Sequence, residues 1–153
     1  MTPTRVLVMG LGNVLMGDEG VGVHAVRQLE ALPWPPHVSV VDGGTGGFHL
    51  LSHLGESDVA VMIDATLDGR PPGTIRVFEP RYASDFPRAL SAHDIGLKDL
   101  VESADLLRQL PRVILVTISV ADIQPMRMTL SPEVEAVVPA VIDRVRALVS
   151  TIP

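Results

Sequence analysis

Arg5-Val-Leu-Val-Met-Gly-Leu-Gly-Asn-Val-Leu-Met-Gly-Asp-Glu-Gly-Val-Gly-Val23 decides the fold. Val6 to Met9 is a short apolar run of strand length, broken at Gly10 and Gly12. Val23, Val26 and Leu29 then recur at helical spacing. A strand that ends in a glycine turn and feeds a helix opens a βα unit, and such units bind ligands at the carboxyl ends of their strands. The loop at that end carries Asn13 and the acid pair Asp18-Glu19, flanked by Gly17 and Gly20.

Gly10-Leu11-Gly12 also looks like the start of the dinucleotide fingerprint G-x-G-x-x-G. Its third glycine position is Leu15, and two carboxylates at the helix start would repel a pyrophosphate. Carboxylates there sit well in the helix macrodipole, so capping is one reading. A cation held by Glu19 is the other. Asp42, at the end of the second strand, is where a dinucleotide-binding domain keeps its ribose-binding acid, which keeps that alternative open.

Working outward, the helix is expected over about 20–32, stopped by Trp34-Pro35-Pro36. Val38 to Val41 reads as a buried second strand, followed by Asp42-Gly43-Gly44-Thr45-Gly46-Gly47. Four glycines in six residues exceed what a plain turn needs and permit close approach of another group. A short helix over 48–54 places His49 and His53 at i, i+4, as in the zinc motif H-E-x-x-H. Leu50 stands in place of the catalytic Glu, so the motif lacks its mechanism.

Val59 to Ile63 is a nearly continuous apolar run, the mark of a parallel strand covered on both faces. Asp64 closes it. An acid there is costly to desolvate without a partner, so it is either bonded to backbone N–H groups or held as a ligand or base. A turn at Asp68–Gly73 leads to an alternating strand, Thr74 to Phe78, which the short connection makes antiparallel at one side of the sheet. Residues 79–92 have no clean period and deliver His93, in the first turn of a helix by a loose Ser91/Asp94 capping box. A helix start disfavours the imidazolium, leaving the neutral ring a metal needs; an ordinary exposed histidine fits as well.

The helix after His93 has an apolar face of Leu97, Leu100, Val101, Ala104 and Leu107. Arg112 to Val120 is the last strand. Met126 and Met128 in the next loop suit either a soft peptide-contacting surface or space filling. Ser131-Pro132 starts the final helix as N-cap and N1, with Pro139 expected to kink it. Its buried stripe is Val134, Val137, Val138, Val141, Val145 and Leu148.

The alternation predicts one α/β domain over 1–153, a three-layer α/β/α sandwich around a mainly parallel five-stranded sheet with one antiparallel strand. A chain of 153 residues buries a sizeable core. Net charge is −6 and Lys98 is the sole lysine, which argues against nucleic acid and anionic membranes. No apolar run approaches the ~20 residues of a membrane span, and no secretory h-region precedes the first strand. With no cysteine there is no disulfide, thiolate metal site or cysteine nucleophile. A soluble cytoplasmic monomer is the expectation. Glu19, Asp64 and His93 would form a carboxylate–carboxylate–imidazole set with open positions, suited to nickel or zinc.

The chain resembles the hydrogenase maturation endopeptidases, which trim the C-terminal extension from the large subunit of nickel–iron hydrogenases. The resemblance lies in Gly10-Leu-Gly-Asn13 with Asp18-Glu-Gly20, then Asp42-Gly-Gly-Thr45 and the strand-end Asp64. It continues through Ser91-Ala-His93 with Gly96-Leu97, and Leu130-Ser-Pro-Glu-Val134. It implies an α/β/α fold, with Glu19, Asp64 and His93 contacting nickel already inserted in the precursor, and other divalent metals able to take the site in isolation. It also implies that Asp42, Gly43, Gly44 and Thr45 take part in substrate recognition or cleavage. Ala92 departs from the family, where proline often precedes the histidine, and this loosens the backbone at Ser91. Metal-activated water is one chemistry. Nickel used for docking alone, with Asp42 or, second, Asp18 as base, is the other. A noncatalytic nickel- and precursor-binding chaperone remains a competing class.

Overall fold

The first strand, β1 (Val6–Leu11), has six residues and all are buried. A computed structural model of the chain describes residues 3–45, 50–81, 85–87, 97–108 and 110–153. After β1 come a 3-10 turn (Gly17–Gly20), α1 (Val21–Glu30), β2 (Val38–Gly44), α2 (Leu51–Gly55), β3 (Val59–Thr66) and β4 (Ile75–Phe78). α3 (Leu97–Leu106), β5 (Arg112–Ser119), α4 (Pro132–Glu135) and α5 (Val138–Thr151) complete the order.

The five strands run in the order β2-β1-β3-β5-β4. β1 pairs in parallel with β2 and β3, β3 pairs in parallel with β5, and β4 is antiparallel to β5. The mainly parallel sheet with one antiparallel edge strand is therefore as expected. Strand alternation sorts the core into two faces. Val6, Val8, Val61, Ile63, Val116 and Ile118 pack with α1 and α5. Leu7, Met9, Ala60, Met62 and Leu115 pack with α2 and α3 on the other side. β3 is central, so its continuous apolar run is covered twice.

The order of strands matters for function. The chain leaves β1 toward one side to make β2, then crosses back over β1 to make β3. The carboxyl ends of β1 and β3 thus border the point where the strand order reverses, the crevice in which open α/β sheets bind ligands.

The close approach of α1 to the sheet depends on Gly22. A methyl group there would sit 2.3 Å from the Leu11 carbonyl oxygen and 2.4 Å from that of Ile63. This is the close helix–strand packing that a dinucleotide fingerprint assigns to its third glycine, supplied here from inside the helix. Leu15, at the fingerprint position, is instead half exposed.

Four expectations are corrected. β2 is an edge strand paired only with β1, so Ser39 is exposed and Val40 and Val41 are only partly covered. α1 ends at Glu30, earlier than Leu32, with the Trp34 indole donating to the Leu29 carbonyl at 2.7 Å. α3 stops at Leu106 because Arg108 turns left-handed (φ 56°), which leaves Leu107 exposed. Pro139 does not kink one long helix but opens a second. Lacking an N–H for the preceding turn, it is tolerated only in a first turn. Of the expected stripe Val134, Val138, Val141 and Val145 are buried across the break, Val137 and Leu148 are only partly covered, and Val149 is buried in addition.

Gly22→Ala is expected to lower folding stability by about 3 kcal/mol, at the upper end of overpacking costs. A urea midpoint shifted with the slope unchanged checks this.

Candidate functional site

The carboxyl edge of the sheet gathers most of the acids singled out from the sequence. Glu19 lies in the 3-10 turn after β1 and is 4% exposed. That turn packs against β3, the strand that carries Asp64. Asp64 is partly buried, and its Oδ1 accepts the Ala65 N–H at 2.9 Å. By strand alternation Asp64 faces the α2/α3 side, in register with Thr117 of β5, which in turn faces Arg76 of β4. Glu19 and Asp64 therefore stand on the two elements that border the reversal point.

Carboxylates from the turn after β1 and the end of β3 are the donor type that suits a hard or borderline divalent cation. Among the described residues no three His, Cys, Asp or Glu side chains are grouped to hold a metal. His93 lies outside the described residues, as do Gly46, Gly47 and His49. His53 is at the opposite end of the sheet, in a cleft with Arg5, His37 and Glu56. The chemistry-bearing edge does not include it.

Asp18 is 2% exposed and has a different role from its neighbour. Its Oδ1 accepts the Ser131 N–H at 2.7 Å, and its Oδ2 accepts the Ser131 hydroxyl at 2.7 Å and the Gln124 side-chain amide at 3.4 Å. The Asp18 N–H donates to Gln124 Oε1 at 2.9 Å. A buried carboxylate needs several donors to offset its lost hydration, and residues 106 and 113 positions away supply them. Asp18 and Glu19 do lie in the first turn of the 3-10 segment that leads into α1, but without a side-chain cap hydrogen bond there, and Asp18 is held by the distant Ser131 and Gln124. Ser131 does occupy the N-cap position of α4, but its hydroxyl serves Asp18 instead of the helix.

Asp42 ends up one strand further out, on the exposed edge of β2. Its Oδ1 accepts the Gly44 N–H at 2.9 Å, fixing the glycine turn, and its Oδ2 is 3.3 Å from Arg27 Nε of α1. The Gly44 carbonyl accepts the Gly12 N–H at 2.7 Å. The Asp42 loop is thereby joined to the loop that leads to Glu19. Gly43 is buried against Leu11, and Thr45 is exposed.

Arg27, Gln124, Ser131 and His24 are participants that the sequence reading did not single out as site residues. Arg27 and His24 were legible only as helix residues, since their partners lie in other loops. His24 is hydrogen-bonded to the Met128 backbone, and its Nε2 is buried with no partner. Burial first, and then the nearby Arg27 charge, hold its pKa below the ordinary value of 6.5. Glu135, the Met128 bond and Asp18 oppose that shift.

Asp18→Ala leaves the Ser131 N–H without its acceptor and is expected to cost about 2–3 kcal/mol, with Asp18→Asn restoring most of it, read by thermal unfolding. For His24, the unfolded chain takes up a proton near 6.5 while the folded protein resists it. Stability is then whole above that pH and falls as pH drops toward the lowered folded value. Denaturant midpoints between about pH 7 and 5 should fall in the native chain, and His24→Gln should flatten this component.

A family model described as hydrogenase maturation protease matches residues 23–147. The hydrogenase expression/formation protein HupD of Rhizobium leguminosarum bv. viciae is 35% identical over 143 residues, covering 91% of this chain and 71% of that protein. The hydrogenase 2 maturation protease of Escherichia coli (strain K12) is 31% identical over 147 residues, covering 94% and 89%. The solved structure of the hydrogenase maturating endopeptidase HybD from E. coli superposes with a TM-score of 0.85 at 31% identity, covering 95% of this chain and 92% of that one. With the family model, the relatives and the fold in agreement, this chain belongs to the hydrogenase maturation protease family and is a peptide hydrolase.

Proposed function

We propose that this chain removes the C-terminal extension from the precursor of a nickel–iron hydrogenase large subunit, and that it acts after nickel has been inserted. The observation that carries the reading is the placement of Glu19 and Asp64 on the two elements bordering the strand-order reversal, where an α/β sheet receives its ligand. With His93 they make the carboxylate–carboxylate–imidazole set that reads the nickel delivered by the substrate. Nickel belongs to the precursor, and it supplies a Lewis acid at the cleavage centre. A partly dehydrated pair of carboxylates binds a divalent cation more strongly than it would in bulk water.

The Asp42–Thr45 loop is the substrate-recognition segment in this reading. Asp42 has both oxygens engaged, by Gly44 and by Arg27. To act as general base it must release the Arg27 contact, which is exposed and therefore weak. Asp18 is unsuited to the same task because its carboxylate is committed to Ser131 and Gln124. No helix among the described residues is long and apolar enough to cross a membrane.

The test is the intact mass of a cognate precursor, nickel-loaded and nickel-free, after incubation with the chain. The loaded form alone should lose a C-terminal peptide. Glu19→Gln, Asp64→Asn and His93→Ala should each slow the loss by at least about 100-fold, with folding retained. Asp18→Asn should leave it near the native rate. Binding without a mass change would replace the protease with a chaperone, and unchanged cleavage in all three variants would remove the proposed metal-reading set.

A further inference from the structure

The large apolar side chains left exposed are unevenly placed. Among the described residues they are Leu15, Leu67, Leu106, Leu107, Leu110, Met126 and Met128. Leu106, Leu107 and Leu110 precede β5, at the amino end of the sheet. Leu15, Leu67, Met126 and Met128 lie on the loops after β1, β3 and β5, at its carboxyl end. Their exposures are 50%, 49%, 90% and 61% respectively.

These loops are joined to one another. The Arg127 N–H donates to the Leu15 carbonyl at 3.1 Å and the Gly17 N–H to the Arg127 carbonyl at 2.7 Å, forming a short parallel bridge. The Gln124 N–H donates to the Met16 carbonyl at 3.3 Å, and the Val120 N–H to the Thr66 carbonyl at 2.9 Å. Gly17, with φ 60°, has no room for a side chain, because a methyl group would lie 2.2 Å from Gln124 Oε1. The Asp18–Ser131 bonds close the far side of the loop.

Met126 stands at the tip of this pinned loop with φ 62°, a left-handed backbone that costs a residue with a side chain. The strain serves no core packing, since the side chain is almost wholly in solvent. It presents a flexible, polarisable thioether outward. Met128, two residues on, is also mostly exposed, at the rim of a cavity with His24 and Glu135. Such side chains suit adaptable contact with apolar polypeptide. Space filling, the other reading of these methionines, does not fit their exposure.

We propose that Leu15, Leu67, Met126 and Met128 form a docking platform for an apolar stretch of the hydrogenase precursor next to the bond to be cut. The inference rests on the proposed function. Its occupant follows from continuity with the site. Leu15 shares a loop with Glu19, Leu67 directly follows the strand that carries Asp64, and the methionine loop is bonded to the former. A polypeptide that reaches the two carboxylates approaches the sheet edge that carries these loops.

The experiment is steady-state cleavage of the nickel-loaded precursor by the full chain and by Met126→Ser/Met128→Ser. KM should rise at least about tenfold with kcat within about twofold, because lost ground-state binding appears in KM. The melting temperature should be unchanged, since neither side chain is buried. Met126→Leu/Met128→Leu should keep the native KM, and Leu106→Ser/Leu107→Ser should alter neither constant. A native KM in the serine variant, or a fall in kcat alone, overturns the platform while leaving the protease reading intact. Conversion of the isolated protein from dimer to monomer by the serine substitutions would assign the patch to a second copy and also overturn it. If the native chain binds the precursor without cutting it, the same comparison is made on Kd. If it neither binds nor cuts, the functional reading itself fails.

Discussion

A buried carboxylate, that of Asp18, ties the first and last loops of the carboxyl edge together. Asp18 comes from the loop after β1, and its acceptor capacity is filled by Ser131 and Gln124 from the loop after β5. In a poorly hydrated setting these bonds are strong together, and any one left unmade is costly. The adjacent Glu19 inherits its position from that knot, because the two acids share a four-residue 3-10 turn. Two neighbouring acids thus have separate tasks: one holds the loops together, the other stands at the edge where the substrate's metal is proposed to arrive.

The sheet supplies the rest of the geometry. Parallel strands with helices on both faces place all their carboxyl-end loops on one side. The reversal of strand order between β1 and β3 opens a crevice between outgoing connections. Asp64 reaches that edge because it is the first polar residue after Val59 to Ile63 on a fully covered strand. The Asp42 loop is tied in from β2 through the Gly12–Gly44 bond. Fold and site are therefore consequences of the same pattern of apolar runs ended by glycine and acid.

That pattern was legible where it was local. Val6 to Met9, Val59 to Ile63 and the face of Val23, Val26 and Leu29 announced strands, helix and layers, because burial imposes a period on neighbouring residues. The antiparallel placement of β4 followed from a connection too short for a crossover helix. What depends on distant partners was not legible. Nothing near Asp18 indicates Ser131, 113 positions away, and nothing near Arg27 indicates Asp42. The edge position of β2 was hidden because Val38 to Val41 is apolar whether covered once or twice. Pro139 was read as a kink because sequence alone does not distinguish a proline within a helix from one that begins the next.

The long span of the Asp18 knot bears on how the protein is made. A chain emerging from the ribosome presents β1 and its acid turn long before Gln124 and Ser131 exist. Folding that turn against β3 without those residues would bury a charge with no donors, which is costly. Completion of the carboxyl edge therefore depends on the segment that carries Gln124 and Ser131, more than a hundred residues beyond Asp18.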